Sequence, residues 1–462
     1  MANKKIKNQD IAYAFLDQKE FKKNVIFCTG WDTFFKYKDG YYEMYEPEKF
    51  RELIWRFIVK EFNDLPIMAS LVKDVMQQIK WAAYRKVKEI NTPYIAFNDK
   101  LYNIEKFQWE EFDRQKISLH NIPFDSKNIE NPIPKFENFL ASAIVNKNGE
   151  TDTDLIKVIQ EMFGYYLINN LKAEKVFFLV GRGANGKGVV SRVLEALIGH
   201  KYISAMNIQH LTTNQFATAN LVGMKVNICS EEESKFLHSG MFKALISGDT
   251  IQAMRKFEGG FSFKPTTKYF FTTNDMPSFQ GLNHGIRRRM VIIPMNKTLD
   301  ERNQNKNLSD ELITEELSGI VGWAIQGAQR LVENNYKLTE TEATDDTKVE
   351  FENIVSSPIM FLRENYERNE DGFVENMKMY KEYQTWCLEN GKRPMSSVGF
   401  HRDISQNLDI KTIKRWNDIT KESERGKLVS IKQDLPPEDL ERVDKALEEK
   451  NMLKEISEEI GW

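Results

Sequence analysis

Cysteine is scarce: only Cys28, Cys229 and Cys387 occur in 462 residues. Three scattered thiols supply neither a disulfide framework nor a C-x-x-C metal pattern, which points to a reducing cytosol. Long apolar runs are also lacking. None approaches the roughly 20 residues that span a bilayer, so no membrane partner is expected. The N-terminus MANKKIKNQD is basic, but the apolar stretch 11–16 is too short and too broken for a signal segment. An excess of positive charge is missing as well: 65 Lys and Arg face 68 Asp and Glu, a formal net charge of -3. That argues against a protein that coats nucleic acid with its whole surface, and leaves room for a local basic channel. No internal repeat is evident. What the chain does have is 41% apolar residues and 30 Phe, enough for more than one core, and its length suggests two to four domains.

Apolar periodicity divides the chain. Residues 50–59 and 71–79 carry helix spacing, and 94–102 reads as a hairpin around Asn98-Asp99. With the neighbouring aromatic-rich stretches they make 1–134 a mixed, largely helical N-terminal domain, left through the loop Asn131-Pro-Ile-Pro134. From 135 to 336, strand, loop and helix repeat. A helix at 155–167 leads to the apolar run Val176–Val180 and a glycine loop. An amphipathic helix follows, with Val190, Val193, Leu194, Leu197 and Ile198 on one face. Further strands are expected at 225–229, 268–273 and 290–294. This alternation predicts an α/β fold with a parallel sheet. Polar stretches at 299–306 and 339–346 read as linkers, and the second sets a boundary at 337–349. Helices around 379–386 and 398–404, then short strands, suit a small winged-helix-like domain over 350–435. A charged helical tail, 436–462, follows and shows no chemistry.

The strongest local pattern is Gly181-Arg182-Gly183-Ala184-Asn185-Gly186-Lys187, which spells G-x-x-x-x-G-K between a strand and a helix. Glycines let backbone N–H groups turn inward around phosphate oxygens. The helix N-terminus adds its positive dipole end, and Lys187 reaches the β- and γ-phosphates. Chance alone produces such strings in long chains, but the strand before and the helix after favour a phosphate cradle. Gly188 and Val189 complete the loop. Gly188 departs from the pattern, because Ser or Thr there would offer a hydroxyl to Mg2+. The metal must then rely on the nucleotide, water and acidic residues elsewhere.

The strand at 225–229 runs into Ser230-Glu231-Glu232-Glu233. At the carboxyl end of a parallel strand such carboxylates face the phosphate crevice. Glu231 and Glu232 are the candidates for holding Mg2+ and orienting the attacking water, with Glu233 turned away. A solvated acidic loop is the plain alternative. Residues 250–265 read as two strands around Glu258-Gly259-Gly260 and mix Arg255, Lys256 and Lys264 with Phe257, Phe261 and Phe263. Cations that track a backbone beside rings that stack on bases suit single-stranded nucleic acid. Taken alone, a packed aromatic face with solvated charges explains the stretch as well. Asn274 ends an apolar strand, where an amide can hold the attacking water or the γ-phosphate, although Asn also makes good turns. Arg287, Arg288 and Arg289 precede another strand and would serve as an arginine finger toward a neighbouring subunit, or as a DNA-facing or solvated patch.

In this order and spacing, these residues resemble the superfamily 3 helicases, and more closely the primase-associated helicases of phages, plasmids and large DNA viruses. The likeness runs from about 134 to 294 and is weaker on both flanks. Residues 181–187 resemble the family's Walker A motif and 228–232 its Walker B motif. Residues 243–256 look like its B′ motif, leading into the DNA-contacting hairpin. Residues 271–274 are similar to motif C, with Asn274 as sensor 1, and 288–294 to the arginine-finger segment, with Arg288 and Arg289. The resemblance implies a P-loop, AAA+-type ATPase core and a homo-oligomeric, hexameric ring with ATP sites between subunits. It also implies 3′-to-5′ travel on one strand, an N-terminal region that aids assembly and a C-terminal winged helix. ATP and Mg2+ are the implied ligands. The implied partners are single-stranded or forked DNA, further copies of the chain, and a primase or polymerase on another chain. No primase site is evident, since Asp152-Thr153-Asp154 lacks a preceding strand and reads as loop. The expected function is an ATP-dependent DNA helicase of a phage, plasmid or mobile-element replication system in the host cytoplasm. The alternatives are an origin-remodelling ATPase without processive unwinding and a nucleotide-stabilised DNA-binding scaffold, which Gly188 alone favours.

Overall fold

The computed structural model describes the chain except for residues 1–5, 67, 87–91, 182, 184, 231–236, 256–258, 275–278, 281–283, 298–304, 348–355, 370–371, 391, 409, 411, 418–421, 428 and 432–462. Two compact units result: Met1–Pro277 with Arg289–Thr347, and Ser278–Arg288 with Lys348–Trp462.

A five-stranded, wholly parallel sheet organises the larger unit. Its order is Met290–Pro294, Val176–Val180, Lys268–Thr273, Val226–Cys229, Ile203–Ser204. Parallel strands covered on both faces read as continuous apolar runs. The sequence VFFLV does so throughout and KYFFTT at its centre, and Phe177, Phe178, Phe270 and Phe271 are all fully buried. The helix Lys187–Ile198 follows Val176–Val180 and buries Val190, Val193, Leu194, Leu197 and Ile198, the face its periodicity predicts. Two longer helices, Thr153–Leu167 and Leu317–Glu333, pack against each other in the same core. Asp152 accepts the Leu155 amide at 2.9 Å as the cap of the first. The loop expected at Asp152-Thr-Asp154 is therefore a helix start, where carboxylates meet the positive end of the dipole. The helix Pro134–Ala143 opens on proline, and its Lys135 and Phe136 amides donate to the buried Glu316 carboxylate at 2.9 Å each. Glu316 ends a π-helical turn, Leu312–Glu316, just ahead of Leu317–Glu333.

The N-terminal part of this unit is mixed. Helices Asn8–Leu16, Pro47–Glu61 and Ala69–Ala82 pack with a four-stranded sheet ordered Tyr41–Tyr45, Thr33–Lys38, Val25–Cys28, Tyr84–Arg85. It holds more strand than "largely helical" anticipates. The aromatic stretch at 25–45 alternates around a packed ring cluster, with Phe34 stacked on Phe50 at 4.1 Å. The hairpin expected at 94–102 is present, Tyr94–Ala96 pairing with Leu101–Asn103. At the amino edge of the core sheet, Lys225 and Lys268 are buried. The Lys225 amine donates to Asn169 Oδ1 at 2.8 Å, and burial pulls its pKa down to about 7. Burial, then the charge of Lys225, depresses Lys268 too.

In the smaller unit, helices Ser357–Asn365, Asn376–Glu389 and Ser397–Asn407 precede the antiparallel pair Thr412–Asn417 and Glu422–Lys427. Phe361, Tyr383, Trp386 and Phe400 form its core, with Tyr383 stacked on Phe400 at 4.4 Å. The predicted tail at 436–462 lies outside the described residues. Among the described residues no helix is long and apolar enough to cross a membrane.

Candidate nucleotide site and basic hairpin

Val176–Val180 lies between Met290–Pro294 and Lys268–Thr273, so the loop after it opens at the carboxyl edge of the sheet, where ligands of such folds sit. Gly186 turns the loop into the helix at φ 89°, a left-handed conformation that suits glycine. Any Cβ there would come within 2.9 Å of the Phe139 ring. Asn185 is buried and ties the loop to the sheet, its Nδ2 donating to the Met295 carbonyl at 2.9 Å. Lys187 opens the helix with its side chain largely buried. Its ammonium donates to the Gly181 carbonyl and, at 3.3 Å each, to Oδ1 of Asn185 and of Asn274. Lys187 and Asn274 meet because their strands are neighbours, Thr273 pairing with Val180. These three partners, among the described residues, are neutral oxygens. A phosphate oxygen would form a charge-assisted bond and outcompete each of them.

These groups border a cavity of about 880 Å³, of the size that small-molecule ligands occupy. Gly183, Gly186, Gly188 and Val189 line it from the loop side, and Ser230, Thr272 and Thr273 add hydroxyl-bearing residues from the strand ends. Lys135, Asn138 and Ser142 form a further wall from the helix Pro134–Ala143. Sequence reasoning did not reach that wall, and its one signal was a proline-opened amphipathic helix upstream. Glu315 and Glu311 pair with the Lys135 amine at 2.8 and 3.2 Å and hold its pKa above the ordinary value. Gly188 is exposed on the cavity, and a Cβ there would meet nothing within 4 Å.

Arg182, Ala184, Glu231, Glu232 and Glu233 lie outside the described residues, as do Lys256 and Phe257. Ser230, exposed on the cavity, leads directly into the three glutamates. No group of three or more His, Cys, Asp or Glu that would hold a metal occurs among the described residues.

Arg289 requires a correction. It precedes Met290–Pro294, and its carbonyl accepts the Val176 amide at 2.9 Å, so it sits at the amino edge, away from the glycine loop. Its guanidinium is buried, paired with Glu174 at 2.5 Å and donating to Ser247 Oγ at 3.1 Å. A side chain so engaged holds the sheet and does not reach out as a finger. Arg288 is exposed and Arg287 is buried.

The expected hairpin forms, Ile251–Met254 pairing antiparallel with Gly260–Phe263. Lys264 is exposed and Phe263 is buried, while the guanidinium of Arg255 lies over Phe261 at 4.7 Å. Arg255, expected to contact nucleic acid, also reaches back to Trp31, Asp32 and Thr33. A groove of about 490 Å³ runs beside Met254 and Arg255, walled by Phe216, Ala219 and Asn220. Phe216, half-exposed beside this groove, was missed. Its signal was a lone aromatic in the polar stretch Gln215–Ala219.

Three family models match successive parts of the chain. Residues 12–145 match "D5 N terminal like", 179–289 a family of unknown function, and 358–444 "Poxvirus D5 protein-like". Among curated proteins, one of Acanthamoeba polyphaga mimivirus named as a candidate helicase is 27% identical over 174 residues, 36% of this chain and 18% of that protein. Another of Invertebrate iridescent virus 3, similarly named, is 22% identical over 261 residues, 49% of this chain and 28% of that protein. The chain thus spans less than a third of the length of either relative. Among solved structures it is similar to the apo C-terminal region of NrS-1, with 12% identity, a TM-score of 0.49 and coverage of 88% of this chain and 96% of that chain.

Proposed function

We propose that this chain, which resembles the primase-associated superfamily 3-type helicases of large DNA viruses, is an ATP-dependent DNA helicase. The meeting of Lys187 and Asn274 over a phosphate loop, at the carboxyl edge of a parallel sheet, carries this reading. Lys187 and the loop amides hold the triphosphate, and Asn274 senses its γ-phosphate. Glu231 and Glu232, which follow Ser230 on the cavity rim, orient the attacking water and would hold Mg2+. When bound, that ion would neutralise phosphate charge. The core works as an AAA+-type, P-loop ring, hexameric and with ATP sites between subunits, where Arg288 of the adjacent subunit stabilises the developing charge. The hairpin tracks single-stranded or forked DNA through Lys256, Phe257 and Lys264, with Phe216 as a stacking surface across the groove. The smaller unit serves as a winged-helix-like module. The system served is viral or mobile-element replication in the host cytoplasm, with primase or polymerase on another chain.

ATPase and forked-DNA unwinding assays on wild type, Lys187→Ala and Lys256→Ala test this. Lys187→Ala should lose at least about a hundredfold in hydrolysis, the scale for removing one preorganised charge partner. Lys256→Ala should keep DNA-independent hydrolysis and lose unwinding. Hydrolysis untouched by Lys187→Ala would sink the site. Gly188 favours a second reading, a nucleotide-stabilised DNA-binding scaffold. Nucleotide-dependent assembly with negligible turnover in the wild type would establish it instead.

A further inference from the structure

We propose that the segment Trp31–Thr33 is a latch on the 251–263 hairpin, in which Asp32 is a positioning residue that sets Arg255, and through it the strand pair, for single-stranded DNA. The DNA half of this statement rests on the helicase reading above. Trp31 is buried, and its indole N–H donates at 2.9 Å to the carbonyl of Lys264, where the return strand leaves the hairpin. At the other end, where the outgoing strand turns, Arg255 Nη2 donates to the Trp31 carbonyl at 3.3 Å and to Thr33 Oγ1 at 3.5 Å. Arg255 Nη1 meets Asp32 Oδ2 at 3.5 Å. One short segment therefore holds both ends of a hairpin more than 200 positions away in the chain.

Asp32 has a second attachment. Its Oδ1 accepts the Lys80 amine at 2.7 Å, which links the helix Ala69–Ala82 to the hairpin through a single carboxylate. A partly exposed ion pair is weak by itself. Here the planar guanidinium is fixed by three acceptors and by the Phe261 ring beneath it, and that geometry makes the pair directional. Arg255 is thus an anchor of the hairpin, which leaves Lys256, Phe257 and Lys264 to meet DNA. Movement of the hairpin would then pull on the N-terminal sheet that carries Thr33.

The test uses the full chain with Asp32→Asn, Trp31→Phe, Lys80→Met and Asp32→Glu. Asp32 sits at φ 48°, where asparagine is well tolerated, so Asp32→Asn removes charge without straining the backbone. Trp31→Phe removes the indole donor and keeps a smaller ring in the same site. Both should lower DNA stimulation of the ATPase by about fivefold, the worth of one net hydrogen bond or one partly exposed ion pair. Both should speed hydrogen exchange at amides 251–254 and 260–263, leaving DNA-independent hydrolysis unchanged. Lys80→Met should behave as wild type, and Asp32→Glu should restore much of the response. The latch is overturned if Asp32→Asn and Trp31→Phe respond to DNA and exchange like wild type, or if Lys80→Met matches their loss. A wild type whose ATPase ignores DNA refutes the helicase reading instead. Exchange alone then decides the latch, unchanged rates overturning it and faster rates upholding its mechanical half.

Discussion

Replacing Arg289 by methionine should damage the fold before it damages any chemistry. The side chain is 4% exposed and pairs with Glu174, itself 37% exposed, at 2.5 Å. Removing one member of a fully buried pair costs about 3–5 kcal/mol, because the partner's charge is left without compensation. Water can reach Glu174, so the loss here should be about 2 kcal/mol. The hydrogen bond to Ser247 Oγ adds about 1 kcal/mol. A total near 3 kcal/mol lowers the melting temperature of a unit this large by about 4 °C. Thermal melts of Arg289→Met, beside ATPase assays well below the transition, read the two effects separately. Arg288→Met provides the contrast. Its exposed side chain predicts a melt within about 0.5 kcal/mol of wild type and a deep loss of hydrolysis. In the ring proposed above, doping Arg288→Met subunits into wild type should poison activity more than in proportion. Glu174→Gln should reproduce the Arg289→Met instability, and the double variant should recover part of it, since each single change strands the other group. An Arg289→Met protein that melts with wild type yet hydrolyses no ATP would refute the reasoning and exchange the roles of the two arginines.

Gly188→Ser should fold normally, because its Cβ enters open space, and should lower the Mg2+ concentration needed for half-maximal ATPase several-fold. A metal titration with no leftward shift counts against Gly188 occupying the hydroxyl position. Gly164→Ala places a methyl group 2.2 Å from the Ala328 backbone nitrogen, where two helices cross, and should cost about 2–3 kcal/mol in urea unfolding. Wild-type stability should rise between pH 7 and 9. Lys225 titrates at about 7 when folded and near its ordinary 10.5 when unfolded, so over this window the unfolded chain binds more protons. Urea midpoints at the two pH values check the sign. Lys225→Met should make the rise shallower without abolishing it, because Lys268 is depressed in the same direction.

The core sheet was legible because parallel strands covered on both faces carry unbroken apolar centres. Lys268–Thr273 and Met290–Pro294 fall at the predicted residues for that reason. The strand expected at 225–229 begins one residue later, at Val226, although the Lys225 backbone still bonds to Tyr202 and Lys268 on either side. The N-terminal strands were less legible. Val25–Cys28 is buried on both sides, and aromatic residues fall on both sides of Thr33–Lys38 and Tyr41–Tyr45, so no polar alternation announces them. Asp152 was misread because a capping carboxylate and a loop carboxylate look alike until the helix behind them is seen.

Residue type reveals what a site residue is able to do, and its partners decide what it does. Arg288 and Arg289 are indistinguishable by chemistry, yet one is exposed and the other buried against Glu174. Arg255 follows the same logic at longer range. Among aromatics and cations it reads as a nucleic-acid contact, but the acceptors that fix it come from Trp31, Asp32 and Thr33, over 200 residues earlier. Lys187 and Asn274 lie 87 residues apart and were legible all the same. Each ends or follows a strand of one parallel sheet, and such a sheet gathers its carboxyl-end residues along one edge whatever separates them in sequence. The meeting of these two residues was readable because topology supplies it, whereas the contacts of Trp31–Thr33 with Arg255 depend on a loop whose position no pattern encodes.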